Sequence, residues 1–191
     1  MSLILATANP RKILEATAIF NDFGIDFETE DPDIDEIQHL NPTEITTAKA
    51  RAAWQKLQKP LVVHDSSWEI PTLNGFPGGY MKYMQRWFST DDWLNLMKDK
   101  EDRQIILHER VGFYDGKTLK IFSYKFRGEF LHTPSDAGER SMEKLVRING
   151  DRGTLAENFA KMERDNSRPK HCDQWCEFAG WYTKEYLKEA K

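Results

Sequence analysis

The feature that most limits how this chain can fold is an uninterrupted apolar run, Leu-Val-Val at residues 61–63, which follows a proline. Such a run is typical of a strand buried in the middle of a sheet. Four polar residues, His-Asp-Ser-Ser at residues 64–67, come directly after it. We expect the strand to end there, and ligands of open α/β sheets tend to bind beyond strand ends of this kind. The sequence therefore predicts a polar site at residues 64–67.

Both helices and strands are predicted around this run, which places the chain in the α/β class with a mixed sheet. Asn9 and Asn41 each precede a proline, and both are expected to cap helices. In the second of these helices, Ile45, Ala48 and Ala52 are expected to form the buried face. Strands are predicted at residues 3–6, 25–28, 61–63, 104–114 and 118–126, and helices at residues 10–23, 42–57, 81–88, 90–98, 136–147, 154–164 and 174–188.

Length and charge restrict the class of protein. A chain of 191 residues suits one domain, and its net charge of −4 disfavours a non-specific nucleic-acid binder. No apolar stretch approaches the ~20 residues of a membrane span, and the N-terminal residues do not have the pattern of a signal peptide. The two cysteines make no disulfide framework. We therefore expect a protein of the reducing cytoplasm, without nucleic-acid or membrane partners.

The turn between the first strand and the first helix has the residues of a phosphate site. A helix N-terminus offers free N–H groups and the positive end of the helix dipole, which favour phosphate. Thr7 and Asn9 can add hydrogen bonds there, and Lys12 can add a positive charge. The alternative is a capped helix with a solvated lysine, which accounts for Asn9 without any ligand.

Two carboxylates and two further lysines extend this pattern. Glu36 and Asp65 are candidates for holding Mg²⁺, which prefers oxygen ligands and usually keeps water and substrate phosphate in its remaining positions. Lys49 and Lys82, together with Lys12, would suit a polyphosphate in an acidic protein. The alternatives are a solvated acidic loop around Glu36 and ordinary surface lysines.

A last candidate site is the segment from His171 to Cys176. Its cysteines, Cys172 and Cys176, are four residues apart and would form half of a zinc site, but no further cysteine completes it. Free cysteines are more often core residues, and we favour that interpretation.

Several of these segments resemble the inosine triphosphate pyrophosphatase family. Residues 5–12 are similar to its Thr-Gly-Asn-x-x-Lys loop, with Ala8 in place of glycine, and residues 63–69 resemble its strand-end acidic pair. Residues 36–49 are similar to its acidic turn and lysine helix. The most specific match is residues 73–82, which resemble the Gly-x-Pro-Gly loop. The likeness covers about the first 85 residues well.

The resemblance implies a fold and an activity. The fold would be a two-lobed α/β domain over residues 1–191, with a long mixed β-sheet flanked by helices, a cleft between lobes, and commonly a homodimer. The reaction would be Mg²⁺-dependent hydrolysis of a nucleoside triphosphate to its monophosphate and pyrophosphate, which removes unwanted nucleotides. Physical chemistry agrees, because a metal ion and lysines neutralise charge that develops on phosphate oxygens.

The resemblance also implies residue roles. Lys12, Lys49 and Lys82 would hold the triphosphate, Glu36 would bind the metal, and Asp65 would be either a metal ligand or the base that activates water. The expected catalytic residues are Asp65, Lys12, Lys49 and Lys82, and the expected substrate-binding residues are Thr7, Asn9, Lys12, Lys49, Ser66, Trp68, Lys82, Lys170 and His171.

The sequence departs from the family pattern where the base is recognised. One position of the acidic pair is His64, and Ser67 stands where the family has glycine. The family's aromatic-Gly-aromatic-Asp and Ser-His-Arg motifs, which embrace the purine, are not found. We therefore expect an altered base preference. Trp68 is a candidate for a new pocket wall or else a core residue, and Lys170 and His171 are candidates for polar contacts with the base.

Other functions remain open from the sequence. The related Maf-type pyrophosphatases, which act on pyrimidine and modified nucleotides, open with a similar stretch but do not match residues 74–82. A nucleotide-binding protein without turnover is compatible with the missing base motifs, although the retained lysines and carboxylates argue against it. A nucleic-acid-binding module is least compatible with the net charge.

Overall fold

A computed structural model describes residues 2–165 and 167–189, which form a mixed α/β fold. The strands are β1 (Leu3–Ala6), β2 (Phe27–Glu30), β3 (Leu61–Glu69), β4 (Pro77–Gly78), β5 (Gln104–Tyr114), β6 (Leu119–Phe130) and β7 (Val146–Ile148). The α-helices are α1 (Pro10–Phe23), α2 (Pro42–Leu57), α3 (Met81–Trp87), α4 (Thr90–Leu96), α5 (Leu155–Asp165), α6 (Asp173–Trp181) and α7 (Leu187–Glu189). A 3₁₀ turn (Pro71–Leu73) follows β3, and a π-helical turn (Tyr182–Tyr186) connects α6 with α7.

The strands form one mixed sheet in the order β2-β1-β3-β5-β6-β7, with the short β4 paired to β3. Strand β1 is parallel to both β2 and β3, and its Ile4 pairs with Leu61. The pairs β3–β4 and β6–β7 are antiparallel. The predicted α/β class with a mixed sheet is therefore confirmed.

The chain divides into two compact units. Unit 1 comprises the described residues of 1–65, 109–124 and 171–191, and unit 2 comprises those of 66–108 and 125–170. Strands β3, β5 and β6 each begin in one unit and end in the other.

Unit 1 buries its part of the sheet on both faces. Val62 belongs to an apolar cluster with residues of α1 and α6, whereas Leu61 and Val63 belong to another with Ala50 of α2. All three strand residues have no exposed surface. Because alternate side chains of a strand point to opposite faces, this burial confirms the prediction of a central strand at residues 61–63.

Unit 2 has its own aromatic core. Trp68, Trp93 and Phe130 lie in one buried cluster, and the rings of Trp93 and Phe130 are 6.2 Å apart. The indole N–H of Trp93 donates a hydrogen bond to Ser141 Oγ at 3.1 Å, which satisfies the single polar group of this buried ring.

The helix ends follow the predicted capping pattern. Asn9 accepts a hydrogen bond from the Arg11 amide and caps α1, and Asn41 does the same for α2 through the Thr43 amide. Gly24 ends α1 in the left-handed conformation, at φ 64°, which a residue without Cβ adopts at no steric cost.

Several predictions of individual elements are wrong, and the strand predicted at residues 118–126 extends to Phe130. Strand β3 does not end at residue 63 but continues to Glu69, and its Trp68 packs in the core of unit 2. The polar residues 64–67 therefore lie within a strand and not in a loop. The second strand is residues 27–30 rather than 25–28, since β1 pairs Leu3 with Phe27. The predicted helix at residues 136–147 is absent among the described residues, and β7 occupies its end by pairing with β6.

Two helix details also differ from the predictions. The buried residues of α2 are Thr46, Ala50 and Ala53, one or two positions on from the predicted Ile45, Ala48 and Ala52. The long C-terminal helix predicted at residues 174–188 is interrupted by the π-helical turn. Ala50 and Ala53 belong to the apolar cluster of Leu61 and Val63, whereas the predicted residues of α2 are only half-buried.

Candidate phosphate-binding site

Lys49 of α2 joins two carboxylates in unit 1. Its Nζ donates to Asp65 Oδ1 at 2.8 Å and to Glu36 Oε1 at 2.7 Å. The three side chains are largely buried, with exposed fractions of 12%, 17% and 26% for Lys49, Asp65 and Glu36. Lys49 therefore joins carboxylates 13 and 16 positions away from it in sequence into one compact ionic group.

Lys12, from the first turn of α1, lies beside this group. Its Nζ donates to the backbone carbonyl of His64 and lies 3.9 Å from Asp65 Oδ1. The structure thus brings together four of the predicted residues, Lys12, Lys49, Glu36 and Asp65. We call these four residues the ionic site.

Within the ionic site the pKa values of Asp65 and Lys12 are lowered, and the pKa of Lys49 is raised. Burial opposes the charged form of Asp65, but Lys49 and Lys12 outweigh it and lower the pKa of this carboxyl to about 2. Burial likewise opposes the Lys49 ammonium, yet Asp65 and Glu36 raise its pKa. Burial and then the nearby Lys49 lower the pKa of Lys12. Asp65 is therefore an anion throughout the physiological range.

Thr7 and Asn9 shape the turn that leads into α1. Thr7 Oγ1 accepts a hydrogen bond from the Asn9 amide at 3.1 Å, and Asn9 Oδ1 accepts one from the Arg11 amide at 3.0 Å. Both side chains are thus engaged in local turn and cap contacts, which is the alternative interpretation given above. Their assignment as substrate-binding residues stays a prediction.

Sequence reasoning missed three charged groups that adjoin the ionic site. His64 Nε2 lies 2.7 Å from Glu109 Oε2, and His64 Nδ1 lies 3.9 Å from Glu15 Oε2. Arg110 is also buried and interacts electrostatically with Asp65. A signal was available, since Glu109 and Arg110 are charged residues inside strand β5, most of whose residues are apolar.

The remaining predicted residues are described by their own surroundings, and their roles stay predictions. In unit 2, Lys82 and Ser66 are exposed, and Trp68 is only 3% exposed within the core cluster, which favours its interpretation as a core residue. Also in unit 2, Lys170 Nζ donates to Asp151 Oδ1 at 2.8 Å. His171 belongs to unit 1 and has a left-handed backbone conformation, at φ 55°.

The chemistry of the ionic site fits a divalent cation. Asp65 Oδ2 is buried and has no hydrogen-bond partner among the described residues, so one carboxylate oxygen is available for a ligand. Glu36 supplies a second carboxylate, which is also bonded to Lys49. Within residues 2–165 and 167–189, however, no three His, Cys, Asp or Glu side chains are grouped to hold a metal on their own. Water and substrate oxygens would have to complete such a site, as is usual for Mg²⁺.

The two cysteines are half-buried and pack against the core of unit 1. Cys172 and Cys176 have sulfur atoms 3.9 Å apart and pack against the apolar cluster of α1 and α6. They are not joined by a disulfide. The interpretation that the sequence favoured is supported.

Comparison with known proteins identifies the family. Residues 3–168 match the sequence profile of the Ham1 family. The chain belongs to the Ham1 family. This Ham1 chain is 29% identical over 184 residues to a dITP/XTP pyrophosphatase of Methanopyrus kandleri, covering 95% of the chain and 96% of the relative. It is 32% identical over 129 residues to a dITP/XTP pyrophosphatase of Pyrococcus horikoshii, covering 67% of each. The family resemblance stated above is confirmed.

Solved structures agree on the fold of this Ham1 chain. A HAM1 protein from Coxiella burnetii matches it with a TM-score of 0.77 and 18% identity, over 99% of both chains. The Staphylococcus aureus Ham1 protein matches with a TM-score of 0.76 and 20% identity, over all of both chains. Among the described residues of the Ham1 chain, no helix is long and apolar enough to cross a membrane.

Proposed function

We propose that this Ham1 chain is a nucleoside triphosphate pyrophosphatase, which hydrolyses its substrate to a monophosphate and pyrophosphate. The observation that carries the proposal is the ionic site, in which Lys12 and Lys49 lie beside Asp65 and Glu36 near the start of α1. Relatives that match nearly the whole chain are named dITP/XTP pyrophosphatases, which supports the same reaction class.

The charge of the ionic site explains why Mg²⁺ belongs to this proposal. Two ammonium groups and two carboxylates balance each other, so the four residues by themselves give little attraction for a polyanion. Asp65 and Glu36 would hold the ion, and when bound it would supply the positive charge that neutralises phosphate oxygens. Lys12 and Lys49 would hold the same phosphates through charge-assisted hydrogen bonds, and the amides at the start of α1 would add further donors.

In this scheme Asp65 orients the attacking water and does not accept its proton. With a pKa of about 2, its carboxylate is a weak base, and it stays ionised under working conditions. Its buried Oδ2 is the free acceptor, and Lys49 fixes its Oδ1. We therefore assign Asp65 to ligand binding and to placing the attacking water.

The decisive experiment measures pyrophosphate release by Asp65→Asn. We expect turnover to fall by on the order of a hundredfold or more, because the amide cannot supply the negative charge. Asp115→Asn is the matched control, since Asp115 also accepts several hydrogen bonds in unit 1 but lies in the β5–β6 turn. Release of orthophosphate instead of pyrophosphate, or near-normal turnover of Asp65→Asn, contradicts the proposal.

The lysines are proposed to bind phosphate without choosing the base. Lys12→Ala should weaken all nucleoside triphosphates by similar factors, because each substrate carries the same phosphates and loses one charge-assisted contact of roughly 1.5–3 kcal/mol. Lys82→Ala is expected to behave in the same way. Lys59→Ala, which removes an exposed lysine paired with Glu30, is the control. Loss of one nucleotide with retention of another contradicts this role.

An altered base preference is a separate part of the proposal, supported by the missing base motifs. A pocket that pairs with a specific base edge rejects analogues strongly, so a change in its polar groups changes the choice. Specificity constants for inosine, xanthosine, deoxyuridine, thymidine and the four common triphosphates test it. A clear preference for inosine and xanthosine triphosphates contradicts the alteration. A preference for pyrimidine or modified nucleotides would instead favour the Maf-type alternative, and binding without turnover would favour a regulator.

Two further properties belong to the proposal. A homodimer is expected from the family resemblance, and sedimentation should then give twice the mass of the chain. A cytoplasmic location is expected from the sequence, and fractionation of cells would test it.

A further inference from the structure

A second charged cluster adjoins the ionic site. His64 lies between Glu109 of β5 and Glu15 of α1, and its side chain is only 2% exposed. Its ring also packs on Trp175 of α6, with ring centroids 5.0 Å apart. We call Glu15, His64 and Glu109 the His64 cluster.

The charged groups beside the two ring nitrogens of His64 are carboxylates that do not belong to the ionic site. Nε2 is engaged with Glu109 at 2.7 Å, and Nδ1 is directed towards Glu15. A carboxylate as buried as that of Glu109, 12% exposed, needs a partner to offset its desolvation. His64 is therefore a hydrogen-bonding partner of Glu109, although the family resemblance leads one to expect an acid at position 64.

The His64 cluster is connected with the ionic site through one peptide group. The carbonyl of His64 accepts the hydrogen bond from Lys12 Nζ, and the next residue along β3 is Asp65. A shift of the His64 backbone would therefore move the acceptor that holds Lys12. Glu109 also favours the charged form of Lys12, since it is among the acids that oppose the lowering of the Lys12 pKa by burial and by Lys49.

We propose that Glu109 is a positioning residue for Lys12, because its carboxylate anchors His64 so that the His64 carbonyl holds the Lys12 ammonium in place. The proposal rests on the proposed function only in that the ligand of Lys12 is a polyphosphate. It adds a residue on β5 to a site otherwise built from α1, α2, β3 and the loop of Glu36.

The test is a double-mutant cycle between Glu109 and Lys12, read as the calorimetric affinity for inorganic tripolyphosphate in the presence of Mg²⁺. Glu109→Gln should weaken binding about tenfold in the native background, since coupled neighbours show interaction effects of this order. In the Lys12→Ala background the same change should weaken binding less than about twofold. Glu143→Gln, a buried glutamate paired with Arg140 in unit 2, is the control that should leave affinity unchanged.

Equal weakening by Glu109→Gln in both backgrounds overturns the proposal, and so does no weakening in the native background. If Glu109→Gln does not fold, the double variant His64→Gln, Glu109→Gln replaces both side chains with amides that can bond each other, and it enters the same cycle. A native protein without affinity for tripolyphosphate also overturns the positioning role. A native protein that shows the coupling but releases no pyrophosphate from any nucleotide contradicts the proposed function and leaves the positioning role intact.

Discussion

At the scale of single residues, Lys49 holds the ionic site together. It is the only side chain of the four with hydrogen bonds to both carboxylates, at 2.7 and 2.8 Å. Because Asp65 and Glu36 are largely buried, removing the ammonium leaves two like charges without their main partner. The same residue that is expected to hold phosphate is therefore also a structural ion-pair partner.

Lys49→Ala should lower the free energy of unfolding by about 3 kcal/mol in metal-free buffer, since breaking a buried pair leaves uncompensated charge. Lys59→Ala is a matched control, because the Lys59–Glu30 pair is exposed and should cost no more than about 1 kcal/mol. Urea unfolding measures both. Equal losses would show that the Lys49 pairs are as weak as surface pairs.

The pKa of Glu15 predicts a pH dependence of stability. The pKa of Glu15 is raised from 4.5 to about 7, chiefly by burial and also by Glu109, against the opposing effects of His64, Arg11 and Lys12. The folded state therefore binds a proton more tightly than the unfolded state. Its contribution to stability is fully present below pH 4.5 and is lost as the pH rises through about 7.

Glu15→Gln should remove this loss, because the amide does not titrate. Relative to the native protein, the variant should gain up to about 3 kcal/mol between pH 4.5 and pH 8, the equivalent of the shift in pKa. Unfolding curves at several pH values measure the difference. A constant difference across that range would contradict the assignment of the raised pKa to Glu15.

At the scale of elements, the contact between β6 and β7 depends on a glycine. A Cβ added to Gly128 would lie 2.4 Å from the backbone oxygen of Arg147, which cannot move without distorting β7. By contrast, a Cβ on Gly180 of α6 would meet nothing closer than 3.9 Å. The close approach of β7 therefore requires glycine at position 128, whereas position 180 has room for a Cβ.

Gly128→Ala should destabilise the protein by about 2 kcal/mol or more through steric conflict with β7. Gly180→Ala should be neutral or stabilising by up to about 1 kcal/mol, because alanine is the better helix former. Thermal unfolding of the two variants measures the contrast. Similar effects of both changes would argue against the close strand contact.

At the scale of the whole molecule, the two units have separate cores but share strands. Trp93 lies in the core of unit 2 and Phe178 in the core of unit 1. Strands β3, β5 and β6 contribute residues to both units. Because a strand that loses its packing in one unit also loses its ladder in the other, we expect the units to unfold together.

Trp93→Ala and Phe178→Ala should each lower stability by about 3–5 kcal/mol, the usual cost of deleting a buried aromatic ring. Both should shift one common transition in differential scanning calorimetry, with equal calorimetric and van't Hoff enthalpies. A second heat-absorption peak in either variant would show that the units unfold independently.

Much of this protein was determined by local sequence. Asn9, Gly24 and Asn41 predicted the helix ends correctly, because capping depends on side chains that bond the backbone of their own turn. The apolar run at residues 61–63 predicted a strand buried on both faces for a similar reason, since a periodic pattern records which faces are covered. Lys12, Lys49, Glu36 and Asp65 were also identified as candidates before their positions were known.

Only the tertiary structure decided what these residues contact. Strand β3 continues past Asp65 because its later residues pack in unit 2. Residues 146–148 form a strand because they pair with β6. Neither contact is made with neighbours in the chain. The His64–Glu109 pair joins residues 45 positions apart. The sequence shows that a charged residue within a mostly apolar strand needs a partner. Which residue becomes that partner depends on the register between strands, which is a long-range property of the sheet.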